Sequence, residues 1–77
     1  MNISISDFII HIDESLTSEE MNNLTDAVRE HACVVSAGSS TKASHMMLVA
    51  YDPDCTHSSE ILDHVTRRGL HAVSAGL

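Results

Sequence analysis

The side chains best suited to chemistry in this 77-residue sequence are its histidines, of which there are six. Neutral imidazole is a ligand for Cu, Ni, Co and Zn ions, and the thioether of methionine is a softer ligand. His11, His45 and His71 each stand near one end of a segment that the sequence predicts to be a strand. Transition-metal binding is therefore the first chemistry to consider, and ordinary solvated strand-end histidines are the simpler alternative.

The hydrophobic pattern predicts the elements that must position these histidines. Phe8, Ile10 and Ile12 alternate along the chain, which is typical of a strand with one buried face. Apolar residues within 18–32 recur with helical spacing, and Pro53 ends a strongly apolar strand. The predicted elements are a strand over 6–13, a helix over 18–32, a strand from residue 33, a polar turn over 39–44, a strand over 45–52, a helix over 56–69 and a strand over 70–77.

This β-α-β-β-α-β order predicts a single α+β domain over residues 1–77. It is typical of a ferredoxin-like sandwich, in which a four-stranded antiparallel sheet carries both helices on one face. The expected spatial order of the strands is 4-1-3-2, and the other face of the sheet is open. Because strand 1 then lies between strands 3 and 4 and runs antiparallel to both, His11, His45 and His71 should gather at one end of the sheet.

The direction of each side chain decides whether these histidines can share an ion. His11 is expected on the open face, and His71 is expected there if its neighbours in sequence point inward. Neighbouring side chains on that face are about 5 Å apart at Cβ, close enough for two imidazoles on one ion. Strand 3 is apolar on both faces, so one register turns His45 inward and Met46 outward, whereas the other places His45 beside His11.

The predicted metal ligands are thus His11 and His71, with His45 or Met46 as additional ligands and Cu, Ni, Co or Zn as the ion. The remaining histidines are expected at the opposite end of the sheet or on the second helix. No Ser/His/Asp or Cys/His order suggests a catalytic triad, and a domain of this size offers no deep cleft, so the chain is not expected to be an enzyme.

The two cysteines, Cys33 and Cys55, have no regular spacing and form no disulfide framework in the sequence. Cys33 is expected to be a small buried residue and Cys55 an exposed thiol in a loop. A reducing compartment is therefore the better prediction. The first residues lack the pattern of a signal peptide, so the expected location is the cytoplasm.

Composition excludes several partners. The net charge is −7 and Phe8 and Tyr51 are the only aromatic residues, so neither phosphate backbones nor stacked bases are expected partners. No segment approaches the roughly 18 to 20 apolar residues that a membrane span needs. The acidic surface instead favours a protein partner with a basic surface.

The segment between strand 1 and helix 1 has a complete local explanation. Thr17 as N-cap and Glu20 three residues later form a capping box. Glu19 and Glu20 also suit the positive end of the helix dipole. The segment therefore starts a helix without needing a ligand.

Three short motifs of this chain resemble those of the heavy-metal-associated domain family. They are the Tyr-Asp-Pro at 51–53, the Thr or Ser that opens the following helix, and the Gly-x-x-Ala at 69–72. That family includes small copper chaperones, a mercury carrier and the N-terminal modules of metal-pumping ATPases. The resemblance extends over nearly the whole chain through VVSA, MLVAYDPDCTHSSEILDHV and RRGLHAVSAGL. It implies the same element order and the same fold.

The resemblance does not extend to the family's metal loop. There a Gly-Met-Thr-Cys-x-x-Cys sequence joins strand 1 to helix 1, and its two thiolates bind a soft ion. In this chain Ser18 and Met21 stand at the two cysteine positions. A hydroxyl is a poor ligand for a soft ion, and Met21 lies on the apolar stripe of the helix, so no ligand is expected from this loop.

The open sheet face is the second functional feature. Ile9, Val73 and one face of strand 3 (Met46, Leu48 and Ala50, or Met47 and Val49) would be exposed on it. An apolar patch of this kind predicts an interface, and a sheet-to-sheet homodimer would cover it and place metal ligands on the dimer axis. The sequence therefore supports two functions: binding or delivery of a transition-metal ion, or a metal-free interaction module.

Overall fold

A computed structural model describes residues 4–40 and 43–75. The predicted turn over 39–44 and the end of the predicted last strand fall partly outside this range. The elements are β1 Ser6–Ile12, α1 Ser18–Arg29, β2 Val34–Ser40, β3 Ala43–Tyr51, α2 Ser58–Thr66 and β4 Ala72–Ala75. The predicted element order is confirmed, and both helices are shorter than predicted.

The four strands form one antiparallel sheet in the order β2-β3-β1-β4, which confirms the predicted topology. β1 pairs with β3 from Ser6 opposite Tyr51 to His11 opposite Met46. On its other edge β1 pairs with β4, where His11 lies opposite Val73. The β1–β3 pairing therefore has one end at Tyr51 and the opposite end at His11.

The hydrophobic core lies between the sheet and the two helices. The side chains of β1 alternate, with Phe8, Ile10 and Ile12 buried and the residues between them more exposed. This is the period-two pattern expected of a sheet with one covered face. The buried apolar residues are Phe8, Ile10, Ile12, Met21, Leu24, Val28, Ala37, Met47, Val49, Ile61 and Val65.

α1 begins where the sequence predicts and ends early. The Thr17 hydroxyl accepts from the Glu20 N–H at 3.1 Å, and the Glu20 carboxylate accepts from the Thr17 N–H at 3.0 Å, which confirms the capping box. The helix ends at Arg29, whose guanidinium reaches across to β2, where Nε donates to the Ala37 carbonyl at 2.9 Å. The residues predicted to continue the helix instead form the turn into β2.

α2 begins at Ser58. Its N-cap is His57, whose side chain makes no capping hydrogen bond. Thr56, which is buried, donates a hydrogen bond to the Glu60 carboxylate and so ties the first turn to the preceding loop. Beyond the helix, Gly69 takes a φ of 86°, the left-handed conformation that favours glycine.

The cysteine prediction is wrong. Cys33 and Cys55 form a disulfide across a sequence separation of 22 residues, with Cα atoms 5.6 Å apart. Cys33 is half-buried and Cys55 is exposed, and neither belongs to the core. The cysteines meet because the β2–β3 pairing brings residue 34 opposite residue 51. The cysteine argument for a reducing compartment therefore loses its basis, and the cytoplasmic location stays a prediction.

Candidate metal site

His11 lies on the open face of the sheet, as its position in β1 predicts. Its side chain is 44% exposed, and its Nδ1 is 3.9 Å from the Oδ1 of Asp13. Its cross-strand neighbours are Met46 in β3 and Val73 in β4. His11 therefore lies between β3 and β4, at the end of the sheet from which the chain leads into α1.

His45 resolves the register question left open by the sequence. Met47 and Val49 are fully buried, so β3 turns Met46, Leu48 and Ala50 to the open face and gives His45 the inward position. At the end of the strand, however, the His45 ring still stacks against that of His11, with ring centroids 6.1 Å apart and planes 25° apart. Its Nδ1 is 2.9 Å from the Ile12 carbonyl oxygen, which anchors the ring to the end of β1.

His71 directly precedes β4 and is held by Glu14. The His71 N–H donates to both Glu14 carboxylate oxygens at 2.8 and 3.1 Å, and the ring Nδ1 lies 2.7 Å from Oε2. The Asp13 N–H donates to the His71 carbonyl at 2.8 Å and fixes the two backbones side by side. The His71 side chain is 83% exposed, so its Nε2 edge is accessible.

The contact between Glu14 and His71 also sets their protonation. The hydrogen bond from the His71 ring, with that from the His71 backbone N–H, lowers the pKa of the Glu14 carboxyl. The hydrogen bond to Glu14 and its negative charge raise the pKa of His71, and the charge of Asp13 adds to this. Glu14 is thus an ionised partner for His71 over a wide range of pH.

His45 and His71 hydrogen-bond through Nδ1 to oxygen atoms of Ile12 and Glu14, and the Nδ1 of His11 lies 3.9 Å from the carboxylate of Asp13 between them. A carbonyl or carboxylate oxygen only accepts, so the hydrogen-bonded Nδ1 atoms of His45 and His71 carry the proton and leave Nε2 with a free lone pair. Metal-binding histidines commonly have this arrangement, because the oxygen fixes the tautomer and orients the ring. The neutral imidazoles of His45 and His71 are therefore each oriented to act as a ligand through Nε2.

The three imidazoles are not gathered around one point. The structure brings His11 and His45 together, whereas the ring of His71 contacts Glu14. Over residues 4–40 and 43–75, no group of three or more His, Cys, Asp or Glu side chains stands in an arrangement that could hold a metal ion. A stacked histidine pair with Met46 opposite His11 is the most compact ligand set at this end of the sheet.

The segment at the position of the family's metal loop has no ligand chemistry. Met21 is 5% exposed and belongs to the core, as its place on the helix stripe predicts. Ser18 is the exposed first residue of α1, next to the N-cap Thr17. The segment acts as a helix start, and its contribution to the histidine end is the oxygen of Glu14.

A second cluster at the opposite end of the sheet was missed. The rings of His31 and His64 meet edge to face with centroids 6.2 Å apart, and the Cys33 N–H donates to the His31 Nδ1 at 3.1 Å. The Cys33–Cys55 disulfide lies beside them. The register of the β2–β3 hairpin is the signal that could have revealed this cluster. If residues 34 and 51 pair, residues 33 and 52 must lie opposite each other, which brings Cys33 close to Cys55.

Two solved structures are similar to this chain. A copper binding domain from HMA7, a P-type ATPase, has a TM-score of 0.80 and 14% sequence identity, with 91% of this chain and 93% of that chain covered. Oxidized MerP from Ralstonia metallidurans CH34 has a TM-score of 0.80 and 10% identity, with 92% of this chain and 97% of that chain covered. No protein-family model and no curated protein sequence matches the chain.

These similarities confirm the resemblance at the level of the fold. The chain has the ferredoxin-like fold of heavy-metal-associated domains, with the same open sheet. No helix within the described parts of the chain is long and apolar enough to cross a membrane.

Proposed function

We propose that this protein is a small, non-catalytic transition-metal-binding domain whose ligands come from the histidines at one end of its sheet. His11 and His45 form the primary pair, Met46 lies on the same face as His11, and His71, held by Glu14, lies at the same end of the sheet. The ion would be held at the surface, where it can pass to a partner. The net charge of −7 favours a partner with a basic surface.

The observation that carries this proposal is the shared use of Nδ1. His45 and His71 place Nδ1 within 2.9 and 2.7 Å of an oxygen acceptor, and His11 has a carboxylate at 3.9 Å. Randomly placed surface histidines have no reason to direct the same ring nitrogen toward one short segment. Two histidines whose ring centroids are 6.1 Å apart are close enough for both imidazoles to reach one ion.

The donor set limits the candidate ions to Cu, Ni, Co and Zn. Imidazole nitrogen suits these borderline metals, and a thioether sulfur adds preference for copper in its reduced state. The protein would supply two or three ligands and leave the remaining positions to water or to a partner. Such an open site suits transfer of an ion better than permanent structural binding.

Metal titration of the histidine variants tests this proposal. Apo protein would be titrated with Cu(I), Cu(II), Ni(II) and Zn(II) by calorimetry, comparing wild type with His11→Ala/His45→Ala and with His71→Ala. The double variant should lose most of the affinity for at least one ion, and His71→Ala a smaller part. His57→Ala is the matched control, because this exposed histidine lies at the start of α2. Equal binding by wild type and the double variant would end the proposal.

The open sheet face supports a second candidate function, an interaction module that works through self-association. Leu48 in the central strand β3 is 52% exposed, and Val73 in the edge strand β4 is 57% exposed. Large apolar side chains exposed together mark an interface on a small domain. A homodimer through this face would also bring the histidines of two copies close together.

A measurement of the oligomeric state in solution distinguishes the two functions. Sedimentation equilibrium over a range of protein concentrations, with and without Zn(II), reports whether association needs the metal. Association of the metal-free protein supports the interaction module. Association only with metal supports a site shared between two copies, and a strict monomer under both conditions would contradict the sheet-face interface.

A further inference from the structure

The corner opposite the histidine site holds two cysteines whose backbones are fixed independently of their sulfur bond. The Asp52 N–H donates to the Cys33 carbonyl at 2.9 Å, and the Asp52 carbonyl accepts from the Cys55 N–H at 3.0 Å. The Asp52 carboxylate also accepts from the Asp54 N–H at 2.9 Å, which fixes the turn between them. One residue, Asp52, therefore joins both cysteines through its backbone.

The disulfide is accessible and lies outside the core. Cys55 is exposed and Cys33 is half-buried, and neither packs among the buried apolar residues. Thiol–disulfide exchange requires that an attacking thiolate reach one of the sulfurs, and the exposed Cys55 meets this condition. Opening the bond would leave the core and the hydrogen bonds through Asp52 in place.

We propose that the Cys33–Cys55 disulfide is the oxidised form of a second metal site, and that the reduced pair binds a soft monovalent ion of the Cu(I) class through two thiolates. Thiolate sulfur selects such ions over harder ones. This site is distinct from the histidine site and requires none of its residues.

The change between the two forms is a balanced exchange with a thiol reductant such as glutathione or a protein dithiol. The Cys33–Cys55 bond breaks, a new disulfide forms in the reductant, and two electrons with two protons pass to the cysteine sulfurs. Binding of one Cu(I) ion then forms two metal–sulfur bonds and releases both thiol protons. The copper enters and stays as Cu(I), so no further oxidant or reductant is needed.

The spacing of the cysteines suits two-coordinate binding. A metal–thiolate bond is about 2.3 Å long in zinc sites, so two sulfurs roughly 4 Å apart can hold one ion between them. Cα atoms 5.6 Å apart allow this sulfur separation after rotation about the Cα–Cβ bonds. Because Asp52 fixes both backbones, the reduced pair keeps this spacing without the covalent bond.

The two sites are far enough apart to be tested separately. The disulfide lies beyond the β1–β3 end at Ser6 and Tyr51, whereas the histidines lie at the end where His11 faces Met46. Five residues of strand separate these ends, which is about 17 Å. An ion bound at one site therefore has no ligand from the other.

Competition with a coloured Cu(I) chelator, without oxygen, tests the inference. The proteins would be oxidised wild type, reduced wild type, a reduced Cys33→Ser/Cys55→Ser variant and a reduced His11→Ala/His45→Ala/His71→Ala variant. Reduced wild type should bind one more Cu(I) per chain than oxidised wild type. The serine variant should lose this gain, with affinity lower by about tenfold or more, and the histidine variant should keep it.

Three results would overturn the inference. Reduced wild type could bind no more Cu(I) than its oxidised form, it could lose its circular dichroism signal on reduction, or it could bind copper only as a dimer bridged between two chains. The histidine variant distinguishes the two sites. If this variant binds no Zn(II) or Cu(II) but still binds one more Cu(I) after reduction, the thiolate site is independent of the histidine site. If wild-type Zn(II) binding needs the histidines but reduction adds nothing, only the thiolate inference fails.

Discussion

Glu14 controls the chemistry of His71 through direct contact with its ring and its backbone N–H. The carboxylate keeps the proton on Nδ1, leaves Nε2 free and makes the imidazole more basic. A more basic imidazole is a stronger ligand, but it also binds a proton up to a higher pH. Metal binding at His71 therefore has to compete with protonation near neutral pH.

Glu14→Gln should lower the pKa of His71 toward its ordinary value of 6.5, because the hydrogen bond to an ionised carboxylate is the main cause of its elevation. An NMR titration of the imidazole protons measures this pKa directly. Glu19→Gln is the matched control, since Glu19 is an exposed carboxylate in the first turn of α1. An unchanged His71 pKa in Glu14→Gln would contradict the contact.

The Glu14–His71 pair should be strongest between about pH 4.5 and 6.5. The lowered pKa of Glu14 contributes stability above its ordinary value of 4.5, and this contribution is lost as the pH falls through the folded-state value. The raised pKa of His71 contributes below 6.5 and is lost as the pH rises through the folded-state value.

Amide exchange of His71 measures this dependence, because the His71 N–H donates to Glu14. Its protection, corrected for the intrinsic pH dependence of exchange, should be greatest within the window and fall on both sides of it. Protection that keeps rising steadily with pH through 6.5 would show that His71 ionisation does not affect the pair.

At the scale of the element, the start of α1 stands at the position of the family's metal loop but acts as a helix cap. Thr17 and Glu20 satisfy two backbone N–H groups at the helix start. Ser18, at a position where the similar family has cysteine, is the first residue of the helix. The local hydrogen bonds account for the segment without an ion.

Thr17→Ala should lower the free energy of unfolding by about 1 kcal/mol, because it removes the oxygen that accepts the Glu20 N–H. Urea denaturation measures this difference. Ser18→Ala, one residue away, should change stability by less than about 0.5 kcal/mol, as exposed substitutions commonly do. A larger loss in Ser18→Ala than in Thr17→Ala would contradict the assignment of the cap.

The elements were predictable because their signals are local. The alternation of Phe8, Ile10 and Ile12 and the capping box each lie within a few residues, and both are confirmed. Helix ends were less predictable, because the sequence pattern continues to residue 32, whereas α1 ends at Arg29. The direction of His45 was undecidable from a strand that is apolar on both faces.

The cysteine pair could not be predicted from spacing, because the distance between the cysteines is set by the β2–β3 register and by the turn after Tyr51. The histidines were predicted to gather from topology alone, and His11 and His45 do meet. Glu14 was missed, since its contact with His71 joins residues 57 apart in sequence. Long-range pairing therefore limits the sequence argument more than local propensity does.

At the scale of the whole molecule, the disulfide supports a small domain. Closing a loop of 22 residues contributes about 3 kcal/mol in the chain-entropy account. A 77-residue domain has a small free energy of unfolding, so the disulfide supplies a large part of it. Reduction should therefore destabilise the protein markedly, while the core and the backbone hydrogen bonds through Asp52 remain to hold the fold.

Urea denaturation with and without a phosphine reductant tests this contribution. The free energy of unfolding should fall by about 3 kcal/mol on reduction. Cys33→Ser/Cys55→Ser should match reduced wild type and show no response to the reductant. A wild-type protein whose stability does not change on reduction would contradict a stabilising disulfide.

The exposed apolar sheet face gives a second prediction for the whole molecule. Leu48→Ser with Val73→Ser should weaken self-association and leave the fold intact, because both side chains are more than half exposed. Sedimentation velocity measures the change. Asn22→Ser is the control, as Asn22 is exposed on α1. Equal association by both variants would show that another surface forms the interface.

The central claim is that histidines at one end of the sheet bind a transition-metal ion through Nε2. Nitrogen-15 NMR of the imidazoles during addition of Zn(II), a diamagnetic ion, tests it most directly. The Nε2 signals of His11 and His45 should move as the ion binds, while Nδ1 of His45 keeps its proton bonded to Ile12. His31, His57 and His64 should stay unchanged as internal controls. Unmoved His11 and His45 signals, or equal shifts in all histidines, would contradict the claim.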